Sequence, residues 1–159
     1  MEIQMHTMPM ESLIKLIQLQ LDEGGIATLT VTGCSMEPLF RHRRDQVTLI
    51  RAEVKKGDII LYRRENGRFI LHRVVAIEDR GYVCCGDNEA AREGVQPSQV
   101  IAVVSGFVRK GRRYSLDAPG YRLYTAIWVG LFPLRRYYIY IRRRMGCLYR
   151  KCKAAMQKR

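Results

Sequence analysis

The chain has 159 residues, 47% of them hydrophobic and 27% charged, which is the length of one domain and the make-up of a folded core rather than of a disordered or collagen-like polymer. Its formal charge of +13 is unevenly spread: residues 1–120 carry 17 Lys/Arg against 15 Asp/Glu, whereas residues 121–159 carry 11 against none. That distribution argues against a uniformly basic nucleic-acid-binding domain and confines the positive charge to one end of the chain.

The first residues include Glu2 and Glu11 and show no basic start followed by an apolar run, so no secretory signal is expected. Pro9 suits a first helical turn, and Met10, Leu13, Ile14, Ile17 and Leu21 recur at three- and four-residue steps until Gly24-Gly25. The spacing predicts an amphipathic helix over 9–23, whose Glu11, Lys15, Asp22 and Glu23 exclude a membrane span. From Ile26 the pattern changes to short β-branched and aromatic runs, IATLTVTG, QVTLIRA, DIILYRR, RFILHRVVAIED, GYVCCG and QVIAVVSGFVRK, separated by turn residues. Six or seven strands after one helix predict a mainly β domain closed as a barrel or sandwich. The turn-rich DAPGY at 117–121 sets a boundary, giving an N-terminal helix (1–25), a β-rich domain (26–120) and a basic aromatic tail (121–159). The longest uncharged apolar stretch, residues 123–134, is too short for the roughly 20 residues of a spanning helix. Cysteines 34, 84, 85, 147 and 152 are odd in number, and neighbours 84 and 85 of a strand face opposite ways, so reduced thiols in a cytoplasm-facing protein are expected. Cys147 and Cys152 lack a second ligand pair, and no metal or cofactor is expected.

Chemistry concentrates in three places. TVTGCSMEPLF (30–40) reads as a strand entering a turn, with Ser35 near its tip and Pro38 closing it. Such a turn presents a hydroxyl beside converging backbone amides, here those around Cys34 and Met36, as an acyl-transfer nucleophile and its oxyanion site require. A serine needs a base. His6 precedes the helix and His42 sits in the charge cluster RHRRD, which reads as a solvated loop; His72 lies inside the apolar run FILHRVVAI. Burial there keeps the imidazole neutral and able to accept the serine proton. Lys55 and Lys56 fall in a turn facing water. In CCGDNEAAREG (84–94), either Asp87 or Glu93 is a candidate to orient His72, and the residues alone leave the choice open. The plainer alternatives are that Ser35 and Gly86-Asp87-Asn88 only build turns and that His72 is a packed structural residue.

Taken in order, GCSMEP, KKGDIILY, ILHRVV, CCGDNEAARE and VIAVVSGFV resemble the boxes of the type I signal peptidase and SOS-repressor superfamily of serine peptidases, over about residues 26–108. The resemblance implies a mainly β peptidase fold with Ser35 as nucleophile. With His72 where bacterial-type relatives carry lysine, the chain is similar to the archaeal and endoplasmic-reticulum branch that uses a Ser/His pair. There an acid follows the GDN motif by six residues, the position of Glu93; the branch carries Asp at that point, so Asp87 stays a rival. Signal peptidases also carry an N-terminal membrane span, which the 9–23 helix does not supply, and SOS repressors a DNA-binding helix-turn-helix, for which residues 1–25 leave no room. The implied activity is endoproteolysis of a leader or signal peptide, on an extended segment added along a strand edge with small residues before the cut. Rivals are a non-catalytic binding module of the same fold and a self-cleaving peptidase.

The tail interleaves Tyr121, Tyr124, Trp128, Phe132, Tyr137, Tyr138 and Tyr140 with Arg135, Arg136, Arg142, Arg143, Arg144, Arg150, Lys151 and Lys153. Aromatics with clustered arginines suit the headgroup layer of an anionic bilayer. The expectation is a peripheral membrane protein on the cytoplasmic face, docked through residues 123–134 with Trp128, Phe132 and the arginines; a cytoplasmic location is the alternative. Packing of these aromatics on the β domain ranks second, and nucleic-acid binding last. Nothing in the residues fixes an oligomeric state.

Overall fold

The structure is a computed structural model, which describes residues 9–132, 134 and 137–141. Of the stripe its spacing predicts, helix α1 (Met10–Asp22) turns Ile14, Ile17 and Leu21 fully inward, half-buries Leu13 and leaves Met10 exposed, along with Leu16 and Leu19. Eight strands follow: β1 (Ala27–Thr30), β2 (Gln46–Ile50), β3 (Ile59–Arg63), β4 (Phe69–Glu78), β5 (Gly81–Cys85), β6 (Glu93–Val95), β7 (Val100–Arg109) and β8 (Arg112–Ser115). Helix α2 (Pro119–Gly130) opens on a proline at its first turn, and helical backbone recurs at 132, 134 and 137–141.

The protein is mainly β. All strands join one antiparallel sheet in the order β1-β2-β7-β3-β4-β5-β6, with β8 also on β7. The end strands β1 and β6 do not pair with each other, so the sheet is open rather than closed into a barrel by hydrogen bonds. Strand β7 carries β2 on one edge; its other edge serves β3 near Val103 and β8 from Gly106 onward. Strands β6 (EGV) and β8 (RRYS) escape the sequence reading because neither has an apolar alternation; β5 and β7 supply the pairing that makes them strands.

Both faces of β3 are covered. Leu61 and Ile59 join Ile14, Ile17, Leu21, Val47, Phe40, Val104 and Phe107 in the main core under α1. Ile60 and Tyr62 join Val74, Cys84, Val95 and Val103 on the opposite face. A third cluster sets Phe132 against Val75 and Cys85. Full burial of an Ile or Leu side chain stabilises by roughly 1.5–3 kcal/mol, so α1 is held to the sheet by its three inward residues. Truncation of Ile17, 4% exposed, to alanine is expected to cost about 2–5 kcal/mol in urea unfolding, and Leu19→Ala, 61% exposed, within about 0.5 kcal/mol of nothing.

Candidate active site

Two consecutive β4 residues, His72 and Arg73, are buried and point to opposite faces. Register fixes the company each keeps. Ile60 opposes His72 and Tyr62 opposes Ile70, so Tyr62 shares the His72 face. Val74 opposes Cys84 and Cys84 opposes Glu93, which brings Glu93 to that face as well. There Glu93 Oε1 lies 2.8 Å from His72 Nδ1. Tyr62 Oη, 3.2 Å from Nδ1, donates its hydrogen to Glu93 Oε1. Arg64, just past β3, grips the same carboxylate with Nε at 2.7 Å and Nη2 at 2.9 Å. Because a carboxylate only accepts, the Glu93 contact places the imidazole proton on Nδ1 and leaves the Nε2 lone pair open.

The rivalry between the two acids is resolved by this alternation. Asp87 is fully buried on the Arg73 side, where Nε and Nη2 donate to its two oxygens at 2.9 and 2.8 Å. The remaining Arg73 nitrogen donates to Gly57 O, Tyr121 Oη and Thr125 Oγ1. Tyr124 Oη also donates to Asp87, and the Trp128 indole donates to its carbonyl. Asp87 therefore fixes the 86–88 loop and docks α2; it does not orient His72.

That loop brings in the serine turn. Asn88 N–H donates to Ser35 O at 2.7 Å and Asn88 Nδ2 to Cys34 O at 3.2 Å. Gly86 sits between the partners: a Cβ there would lie 2.7 Å from Ser35 O and 3.1 Å from both Ser35 Cβ and His72 Nε2. The serine and the imidazole thus flank one point, and only a residue without a side chain fits beside it. No hydrogen bond joins the two side chains, and Glu89 Oε2 stands 3.6 Å from Nε2. Among the described residues, the backbone N–H groups of Cys34, Ser35 and Met36 find no acceptor; Cys34 is exposed and Met36 buried. The Gly33 amide is spent on His42 Nδ1 at 2.9 Å. The RHRRD segment is consequently not a mere solvated loop: His42 caps this turn, and buried Asp45 ties Arg44 and the Arg41 amide. Lys55 and Lys56 are exposed.

Burial pushes His72 below its ordinary value, outweighing the carboxylates of Glu89 and Glu93. Burial alone would favour a neutral Glu93, but Arg64, Tyr62 and His72 hold it below the usual carboxylate range. Burial also pushes the Cys84 thiol up to about 12, leaving it an inert packing group. The set comprises a hydroxyl, a neutral imidazole with an open nitrogen, a fixed carboxylate and unpaired amides beside the hydroxyl, the parts of an acyl-transfer centre. Among the described residues no group of three His, Cys, Asp or Glu is placed to hold a metal.

The tail residues separate. Phe132, expected at a membrane, is 3% exposed, lies in the Val75 and Cys85 cluster and has the Arg92 guanidinium 4.2 Å above its ring. Trp128 is half-buried, stacked on Tyr124 and bonded to Asp87. Their apolar surface is taken by the β domain, the arrangement ranked second from sequence. Leu123, Ile127, Leu131 and Leu134 are exposed. Arg135, Arg136, Arg142, Arg143 and Arg144 lie outside the described residues, as do His6, Cys147 and Cys152. No helix among the described residues is long and apolar enough to cross a membrane. No family model and no curated protein matches the chain.

Breaking the Arg73–Asp87 pair from one side strands a buried charge. Asp87→Asn is expected to lose about 3–5 kcal/mol in urea unfolding, and the joint replacement Arg73→Met with Asp87→Leu distinctly less.

Proposed function

We propose that the protein is a serine endopeptidase in which Ser35 is the nucleophile, His72 the general base and Glu93 the residue that orients and charges-balances the imidazole. The observation that carries this reading is the convergence of Ser35 and His72 on the Gly86 backbone, with Glu93 on the far nitrogen of the ring. His72 Nε2 takes the hydroxyl proton as Oγ attacks the peptide carbonyl, and the Cys34–Met36 amides receive the oxyanion. The imidazolium then protonates the leaving amine, and water hydrolyses the acyl-enzyme. Base assistance is worth about 10²–10⁴ in rate and each oxyanion donor about 10²–10³. Closure of the Ser35–His72 gap on substrate binding follows the habit of such contacts, which are loose before the substrate docks.

Strand edges support an extended substrate. β1, which leads to the serine turn, is paired on one side only, and residues 69–72 of β4 pair with β3 but not β5. A peptide laid between these edges would reach both Ser35 and His72 by main-chain hydrogen bonds. Its class, by the resemblance of the boxes, is a leader or signal segment. The expected partner surface is an anionic bilayer at the cytoplasmic face, met by the outer α2 residues Leu123 and Ile127, by Leu131 just past the helix, and by a segment, 121–159, with 11 basic and no acidic residues.

An extended peptide library incubated with the full chain is expected to be cut, and Ser35→Ala to remove cutting with the fold retained; retained cutting by that variant would overturn the mechanism. Intact mass of the chain alone separates self-cleavage from action on another protein. Since only neutral His72 serves as base, kcat/KM should fall as pH drops through its pKa, with the acid limb centred below about 6.5. Vesicles rich in phosphatidylserine should bind the chain at low salt and release it at high salt, and Ile127→Glu should weaken that binding without loss of peptide cutting.

A further inference from the structure

We infer that Tyr62 and Arg64 are positioning residues of this centre, holding Glu93 in the one orientation that keeps His72 with its proton on Nδ1 and its lone pair toward Ser35. The inference rests on the endopeptidase reading only for its consequence on rate; its structural content stands by itself.

Glu93 is on a three-residue edge strand, β6, paired only with β5, which by itself fixes a side chain poorly. A glutamate also has one more rotatable bond than an aspartate. What removes that freedom is a four-point hold: two nitrogens of Arg64, the Tyr62 hydroxyl and the His72 ring. The planar fork of Arg64 takes both carboxylate oxygens, a match a lysine cannot reproduce. Tyr62, 1% exposed, is anchored in the packed face of β3 and reaches carboxylate and imidazole at once. The titratable and charged groups around the ring are thus Tyr62 from β3, Arg64 beyond it, Glu93 from β6 and Glu89 from the loop after β5, with Cys84 of β5 beside Tyr62. Of these, Arg64 is the one cation, and it opposes charging of the imidazole while it holds the carboxylate that favours it.

The Arg64 side chain, with Tyr62 and Glu93, also lines a polar cleft of about 600 Å³ whose lining does not include Ser35 or His72. An arginine truncated there leaves an opening that a small planar cation can enter, which makes the role testable by replacement in solution.

The test is histidine NMR titration of the full chain, with His72 assigned by difference from His72→Gln, alongside cutting of the peptide library. In Arg64→Ala the His72 midpoint is expected to rise by about half a pH unit or more, and kcat to fall about 10–100-fold with KM little changed, the usual cost of losing a partner that orients an imidazole. Arg64→Lys should recover part of the loss, and guanidinium at non-denaturing concentration should restore Arg64→Ala while leaving the wild type unaffected. Tyr62→Phe, which keeps the packing, should move the same midpoint. An unmoved His72 titration in both variants, or no restoration by guanidinium in an active preparation, overturns the inference. A shifted titration in a chain that cuts nothing would instead overturn the peptidase reading and leave the positioning role in place.

Discussion

Arg73 buries a full positive charge inside the sheet, and the molecule is arranged around meeting its needs. Its three nitrogens are satisfied by Asp87, Gly57, Tyr121 and Thr125, drawn from three separate stretches of chain. An ion so placed tolerates no missing partner, because the low-dielectric interior penalises each lost contact. Fixing Asp87 fixes the loop that starts at Gly86, and that loop carries Asn88 to the Ser35 turn. The adjacent residue, His72, inherits the opposite face and with it the Glu93 group. One strand therefore separates a structural ion pair from a chemical site by nothing more than its pleat.

Much of this was legible in the residues. The α1 stripe and six of the strands follow from periodicity alone, since their apolar patterns match what the core buries. Ser35 and His72 stand out in the sequence because a hydroxyl on a tight turn and a histidine in an apolar run are the two ends of one chemical need, a nucleophile and its base. The choice between Asp87 and Glu93 was not legible, because it depends on the β4–β5–β6 register, and β6 is too short and too polar to announce itself. Tyr62 and Arg64 were hidden in a run that reads simply as a strand end; only pairing with β4 reveals which way Tyr62 faces. His42 and Asp45 were lost in a cluster of charges for the same reason, their partners being backbone groups of the serine turn and its flanks.

The start of the C-terminal segment is attached to the sheet by contacts that composition does not reveal. Its aromatics and arginines suggested a separable, membrane-facing tail beyond residue 120. Yet Tyr121, Tyr124, Thr125 and Trp128 have their polar atoms aimed at Arg73 and Asp87, and Phe132 closes a cluster on the sheet. The helix is amphipathic in an unusual sense: its inner side is the more polar in function, bonding to a buried ion pair, while leucines and an isoleucine occupy its outer side. Hydrophobicity alone assigns the faces the wrong way round.

The reach of the Arg73 contacts across the chain bears on how the protein is made. Strand β4 and the Asp87 loop leave the ribosome well before α2, so the guanidinium waits for Tyr121 and Thr125 with part of its donor set unmet. A nascent chain up to that stage has the serine and the histidine but not the brace that steadies the loop between them. The loop between β5 and the Ser35 turn therefore gains its full brace only when α2 docks against the Arg73–Asp87 pair.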